Sequence, residues 1–156
     1  MRKLMLPAVL GLAAAVALAF NAAPNSGKTA VEGVWKAVAV TITNPDSTWT
    51  TEITTPNLTI FTEGHFAALR TGERESLPEE ATDAQRLAAW QPFNANAGTY
   101  KTSSSEMTTT VIVAKSPNAT AERRSRTSTF ERDGDVLWRT FTSPSAEFRV
   151  KYTKLE

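Results

Sequence analysis

The sequence predicts an all-β domain: a closed, antiparallel, up-and-down β-barrel of about eight strands, with one short inserted helix. Three observations support this prediction. Short runs of β-branched and aromatic residues recur from position 31 to the end of the chain, separated by turn residues. The pair Asp133-Gly134 is a strong hairpin signal. In the last run Phe148, Val150 and Tyr152 alternate with charged residues, as in a half-buried antiparallel strand. Closing such a meander removes its exposed edges.

The first 23 residues are predicted to be a secretory signal peptide. Arg2 and Lys3 precede an apolar stretch, residues 4–19, and small residues follow it, so we expect cleavage between Ala19 and Ala23. The alternative is an uncleaved membrane anchor, but the stretch is shorter than the roughly 20 residues that span a bilayer. The chain has no Cys to carry a lipid. The protein is therefore expected to be secreted or periplasmic, with no stable membrane anchor after cleavage.

Charge and composition limit the partners of the remaining chain. The full chain has 17 basic and 16 acidic residues, and cleavage removes two basic ones, leaving 15 and 16. A near-neutral protein is not expected to capture nucleic acid electrostatically. Residues 24–30 are polar and are interpreted as a flexible tether, and residues 31–156 suit a single domain with one core. Without disulfides, this domain depends on core burial and strand hydrogen bonds.

Each strand candidate is a run rich in β-branched or aromatic residues, bounded by turn-forming residues. Residues 44–47, 116–118 and 143–145 contain Pro with Asn, Asp or Ser and are interpreted as turns. Glu63-Gly64 predicts a tight hairpin, because Gly accepts a positive φ. The strand candidates are residues 34–43, 48–54, 57–62, 65–71, 98–103, 107–115, 124–131, 136–142 and 146–155.

One helix is predicted between the fourth and fifth strands. Ser76 and Glu79 have the spacing of a capping box, and further acidic residues follow, as the helix dipole favours. Leu87 and Trp90 then lie at helical spacing, and Pro92 ends the segment. We expect Trp90 to pack this amphipathic helix over one mouth of the barrel.

These pieces, in this order, resemble the bacterial lipocalin-like domain proteins, a group of calycin-type barrels. Gly33-Val34-Trp35 fits the opening Gly-x-Trp motif of that family. Residues 58–67 fit its apolar strand, Thr-x-Gly hairpin and return strand. Residues 78–80 and 96–100 fit its acidic helix leading into a Gly-Thr-Tyr strand, and residues 130–137 fit its Phe-x-x-x-Gly-Asp-x-Leu hairpin. The resemblance covers nearly all of residues 31–156 and implies a lipocalin-like barrel.

The resemblance also suggests roles for particular residues. Gly33 and Trp35 would be the structural motif, with the indole in the barrel floor. Classical lipocalins usually pack an Arg from a late strand over that indole, for which Arg139 and Arg149 are the two candidates. Asn96 departs from the pattern, because the family often has an aromatic residue there.

Five residues are candidates for ligand binding. Alternation places Arg124 and Arg126 on the same strand face as Phe130, so one or both guanidinium groups would line the barrel if Phe130 points inward. A guanidinium there would suit a carboxylate head group, whereas the alternative is a solvated strand near an open barrel end. The other candidates are aromatic residues that are interpreted first as structural, and they are Trp90, Tyr100 and Trp138.

The sequence predicts no catalytic residue, metal site or cofactor. His65 is the only histidine and lies beside a hairpin turn, which leaves zinc without its usual ligand set. The chain has no Gly-x-Ser-x-Gly motif. The leading function is binding of a small, mainly apolar or amphiphilic molecule in the barrel cavity. Two alternatives stay open: an isomerase, cyclase or hydrolase using the same cavity, and a filled barrel that acts as an envelope interaction module.

Overall fold

The computed structural model describes residues 29–73 and 76–156. The predicted signal peptide and residues 24–28 of the predicted tether lie outside the described residues. Within these residues the chain forms nine strands and two short helices. In chain order they are β1 (Gly33–Thr43), β2 (Thr48–Glu52), β3 (Asn57–Thr62), β4 (His65–Arg70), α1 (Asp83–Trp90), β5 (Asn94–Thr102), β6 (Glu106–Ala114), α2 (Pro117–Ala121), β7 (Ser125–Asp133), β8 (Val136–Thr142) and β9 (Glu147–Lys154).

The strands close into a barrel. Their order in the sheet is β2-β1-β3-β4-β5-β6-β7-β8-β9, and β9 pairs back onto β1. Every pairing is antiparallel, and from β3 onward each strand lies beside the next one in the chain. This is a closed, eight-stranded, up-and-down barrel with one extra strand, the architecture of lipocalins. The predicted fold class is therefore confirmed.

The extra strand exists because one wall of the barrel is interrupted. β1 pairs with β3 near its start and with β2 along its second half, so β2 and β3 act as one broken strand. At the break, the Asn57 side chain takes the place of a backbone partner. Its Oδ1 accepts from the Ala37 N–H (2.7 Å), and its Nδ2 donates to the carbonyl oxygens of Ala37 and Thr55 (both 3.0 Å).

The hydrophobic core fills one end of the barrel, which we call the floor. Trp35 is fully buried there, and its Nε1 donates to the Val31 carbonyl at 2.8 Å. Thr29, from the predicted tether, also reaches the floor, because its Oγ1 lies 3.0 Å from the Tyr100 hydroxyl. The residues of the floor are Val31, Trp35, Phe61, Phe66, Tyr100, Met107, Phe130 and Leu137.

The arginine that packs over the Trp35 indole is Arg132, whereas the resemblance suggested Arg139 or Arg149. The Arg132 guanidinium lies 5.4 Å from the Trp35 ring centre. Its Nη1 donates to the Ala30 carbonyl at 2.9 Å. Arg132 follows Phe130 on the inner face of β7 and lies at the floor. Arg149 lies on the outer face of β9, and Arg139 lies over the ring of Phe61, at 5.7 Å.

Glycine is required at position 33 by both backbone angle and space. Gly33 has a φ of +137°, where other residues are strained. A Cβ at this position would lie 2.7 Å from the Glu156 carbonyl oxygen. The Gly-x-Trp motif therefore combines a close backbone approach with the indole that fills the floor.

The helices differ from the prediction in position and number. The N-cap of α1 is Thr82, which forms a capping box with Gln85, so the helix begins after the predicted Ser76–Glu79 box. α2 lies where residues 116–118 were predicted to form a turn, with Ser116 as N-cap and Pro117 at the first helical position, a combination that favours helix starts. In the described ranges, neither helix has the length and apolarity needed to cross a membrane.

Strand β5 begins at Asn94, four residues before the predicted start at residue 98. Asn and Ala are poor strand formers, so the sequence around Asn94 gave no strand signal. Pairing with β4, in which Asn94 lies opposite Arg70, extends the strand to that point.

Candidate functional site

Strand pairing identifies the side chains that face the barrel interior at the end opposite the floor. On β7 Ser128 and Phe130 are buried, so Arg126 shares their inner face. On β8 Leu137 is fully buried, so Arg139 and Phe141 are also inward. Cross-strand partners on β9 and β1 continue the same rows. We call this set the inner cup, and it comprises Val40, Ile42, Arg126, Arg139, Phe141, Phe148 and Val150.

The inner cup has an apolar wall that the protein itself covers only in part. The Phe141 and Phe148 rings are stacked, with centres 5.4 Å apart and planes 12° apart. Ile42 pairs with Phe148, and Val40 pairs with Val150 in the row below. All five of these side chains are half-buried, whereas those of the floor are buried. The half of the barrel opposite the floor thus has apolar inner surface that the protein covers only in part.

Arg139 introduces a charge at the bottom of the cup. Its Nη2 donates to Ser128 Oγ at 3.0 Å. Its Nε is buried and has no hydrogen-bond partner among the described residues. Burial lowers the pKa of Arg139, the side chain of Tyr152 raises it, and the positive charge of Arg126 lowers it further. The guanidinium stays protonated near neutral pH, because arginine does not lose its proton under protein conditions.

Arg126 places a second guanidinium nearer the open end, 4.7 Å from the Phe141 ring centre. No acidic side chain of the described strands shares the inner face with these two arginines. Alternation and pairing place each strand carboxylate on the outside, for example Glu131, whose Oε2 accepts from Arg149 Nη2 at 3.0 Å. The outward carboxylates are Glu52, Glu106, Glu131, Asp133 and Glu147.

Of the five predicted ligand-binding residues, Arg126 is the one that lies in the cup. Arg124 precedes β7, is exposed, and pairs with Glu122 at 3.0 Å. Trp138 lies on the outer face of β8, between the cations of Arg149 (5.5 Å) and Lys151 (5.9 Å).

Tyr100 belongs to the floor. Its ring meets that of Phe61 edge-on, with centres 5.2 Å apart. Burial raises the pKa of Tyr100, and the hydrogen bond with Thr29 partly offsets this effect. The phenol therefore links the floor to the segment that precedes β1.

Trp90 lies on the outer wall of the barrel and is 55% exposed. It borders a groove of about 340 Å³ formed by Phe93 and by outward side chains of β4, β5 and β6, such as Leu69 and Val113. Lys115 holds the end of α1 here, since its Nζ donates to the carbonyls of Trp90, Gln91 and Phe93 at 2.6, 2.9 and 2.9 Å. The end of the helix thus packs beside the barrel rather than over its mouth.

A second groove, of about 460 Å³, lies where β2 and β3 are interrupted. Thr54, Thr55 and Pro56 form one side, and the segment after β4 forms the other. His65 is exposed, and its Nδ1 lies 3.2 Å from the Glu63 carbonyl oxygen. Within residues 29–73 and 76–156, no three His, Asp or Glu side chains gather in a way that would hold a metal ion.

Neither a protein-family model nor a curated protein matches the chain. Two solved structures are similar to it. One is an uncharacterized protein from Bacteroides eggerthii DSM 20697, with 14% identity, a TM-score of 0.43, and coverage of 77% of this chain and 97% of that one. The other is a lipocalin-like protein from Bacteroides uniformis ATCC 8492, with 12% identity, a TM-score of 0.47, and coverage of 80% and 97%. The fold assignment follows from the strand order and closure described above.

Proposed function

We propose that the protein binds a small molecule with a mainly apolar body in the inner cup. The observation that supports this is the contrast in burial along the inner face. Floor side chains are buried, whereas Ile42, Phe141 and Phe148 are only half-buried although they face the barrel interior. Concave apolar surface with a few polar groups is the usual design of a small-molecule site. A ligand would remove this surface from water.

The residues of the cup suit binding better than proton transfer. Arginine stays protonated and does not act as a general base under ordinary conditions. The apolar residues of the cup supply contact area, which stabilises a bound ligand by roughly 25 cal/mol per Å² of apolar surface buried. We place this binding outside the cytoplasm, in the periplasm or after secretion, a proposal supported by the predicted signal peptide.

Binding in the cup can be tested by introducing a bulky side chain that occupies the space of the ligand. N-phenyl-1-naphthylamine, a neutral apolar probe, should bind the purified protein saturably, with a rise in fluorescence. Ile42→Trp places a bulky ring inside the cup and should weaken binding by about tenfold, equal to about 1.4 kcal/mol. Thr41→Trp is the matched control, because Thr41 is the adjacent residue of β1 and lies on its outer face.

The two variants introduce the same side chain at adjacent positions of β1, so their difference reports the face on which the tryptophan lies. Equal weakening in both variants would contradict a site in the cup. An absence of saturable binding to the unmodified protein would contradict the proposal and favour the interaction module.

A further inference from the structure

We infer that the ligand of the inner cup carries a carboxylate group, which Arg139 and Arg126 bind. This inference rests on the proposed function and adds the chemical class of the ligand. It begins from a charge that the protein leaves incompletely satisfied. Arg139 donates from Nη2 to a neutral hydroxyl, that of Ser128, and its buried Nε donates to none of the described residues. Buried charged groups are normally paired, since removing them from water is costly.

The second step is the distribution of charge on the inner face. Arg126 is on the same face as Arg139, and each strand carboxylate of the described chain is directed outward. The positive charges of Arg126 and Arg139 repel each other, and an anion bound between them would reduce this repulsion. By contrast, Arg149 on the outer face has its own carboxylate partner, Glu131. Arg149 is thus paired by the protein itself, whereas neither inner arginine has a carboxylate partner among the described residues.

The third step is the order of groups along the barrel axis. Arg139 lies opposite Phe130 of the floor on one side and Val150 on the other, and its guanidinium is 5.7 Å from the Phe61 ring centre. The stacked pair Phe141 and Phe148 lies one row farther from the floor. A ligand therefore enters with its charged group first, and its apolar body contacts the row nearer the open end.

The planar guanidinium fork favours a planar, two-oxygen acceptor. Arginine pairs with carboxylates through two parallel hydrogen bonds, and the buried Nε of Arg139 is a donor without a partner among the described residues. The class of ligand that fits is an amphiphile with one terminal carboxylate, such as a medium-chain fatty acid or an aromatic acid. Arg126 is exposed near the open end of the cup, so it adds positive charge without being removed from water.

The experiment compares three molecules of equal chain length by isothermal titration calorimetry: decanoate, decanol and decyl phosphate. Decanoate should bind at least about tenfold more tightly than decanol, as expected for a charge-assisted pair. Arg126→Gln and Arg139→Met should each reduce that ratio toward one. Arg124→Gln is the matched control, because Arg124 is exposed outside the cup and already pairs with Glu122, so the ratio should persist.

The outcomes separate this inference from the proposed function. If decanoate and decanol bind equally, the carboxylate inference is wrong and the binding site stands. If decyl phosphate binds tenfold more tightly than decanoate, the cup selects phosphate and the carboxylate assignment is wrong. If no molecule binds and the neutral probe also fails, the proposed function fails with it. If Arg139→Met does not fold, the ratio measured for Arg126→Gln decides, since that side chain is exposed.

Discussion

The floor and the inner cup are built from the same strands, yet they differ in what covers them. On β8 Leu137 is fully buried, whereas Phe141, four residues farther along the same face, is only half-buried. The floor is covered by the segment before β1, in which Thr29 and Val31 contact Tyr100 and Trp35 through hydrogen bonds. The floor is therefore expected to carry most of the stability, and the cup is the proposed binding site.

The largest expected difference between the floor and the cup is in the stability that is lost when a tryptophan is replaced by alanine. Trp35→Ala should lower the free energy of unfolding by roughly 3–5 kcal/mol, because it empties a fully buried site. Trp49→Ala, on β2 at the cup end, should cost less than about 1 kcal/mol, because Trp49 is 44% exposed. Urea denaturation measures both changes. Similar losses of unfolding free energy in the two variants would contradict the conclusion that the floor carries most of the stability.

The boundary between the two regions depends on Asn57. Asn57→Ala should cost about 2 kcal/mol, since it leaves the Ala37 N–H and carbonyl without the partners they have at the break between β2 and β3. Asn94→Ala is the control, because the Asn94 Oδ1 bonds only to the side chain of Asn96 among the described residues. Hydrogen exchange at the Ala37 amide should become faster in Asn57→Ala and not in the control. Unchanged protection there would show that the side chain does not replace the backbone ladder.

The floor should also respond to alkaline pH through Tyr100. Burial raises its pKa above the ordinary value of 10.0, so the folded state keeps the phenol protonated at a higher pH than the unfolded state does. Its contribution to stability is therefore fully present below about pH 10 and is lost as pH rises through the folded pKa. Tyr100→Phe should cost about 1 kcal/mol at neutral pH for the lost hydrogen bond with Thr29.

Urea titrations between pH 9 and 11 provide the measurement for Tyr100. The stability gap between the unmodified protein and Tyr100→Phe should narrow across this interval. A gap that is constant or that widens with pH would contradict the burial of the phenol in the floor.

The smallest expected effect is at the end of α1. Lys115→Met removes three hydrogen bonds to the carbonyls of Trp90, Gln91 and Phe93, and should cost at most about 1 kcal/mol, because α1 has no buried residue. Amide exchange within α1 should become faster while exchange in the floor strands stays the same. Lys101→Met, at an exposed position of β5, serves as the control. Faster exchange in the floor strands would show that helix and barrel are one cooperative unit.

Most strands could be predicted because each is a local pattern. β9 alternates apolar and charged residues, and Asp133-Gly134 predicts the hairpin between β7 and β8, as found. The start of α1 was predicted wrongly, since Ser76 and Thr82 both have a capping residue three positions on, and the sequence does not rank them. For α2, Ser116-Pro117 was a usable signal, but it was interpreted as a turn.

The residues of the cup could be predicted only in part, because the face on which a side chain lies depends on the register of its strand. Alternation correctly placed Arg126 on the face of Phe130, since β7 is regular. On β1 an irregularity between Ala37 and Ala39 shifts the register by one, so the inward residues after it are Val40 and Ile42 rather than Thr41. No local sequence signal marks that shift.

The sequence by itself determined the strand content, most of the turns and the barrel class, because propensity and alternation act over a few neighbouring residues. Tertiary structure alone decided which arginine covers Trp35, that Arg139 joins Arg126 in the cup, and that their inner face holds no strand carboxylate in the described chain. These outcomes depend on contacts between residues far apart in sequence, such as Arg132 with Ala30. Closure of the barrel creates those contacts, and closure is a property of the whole sheet rather than of any one strand.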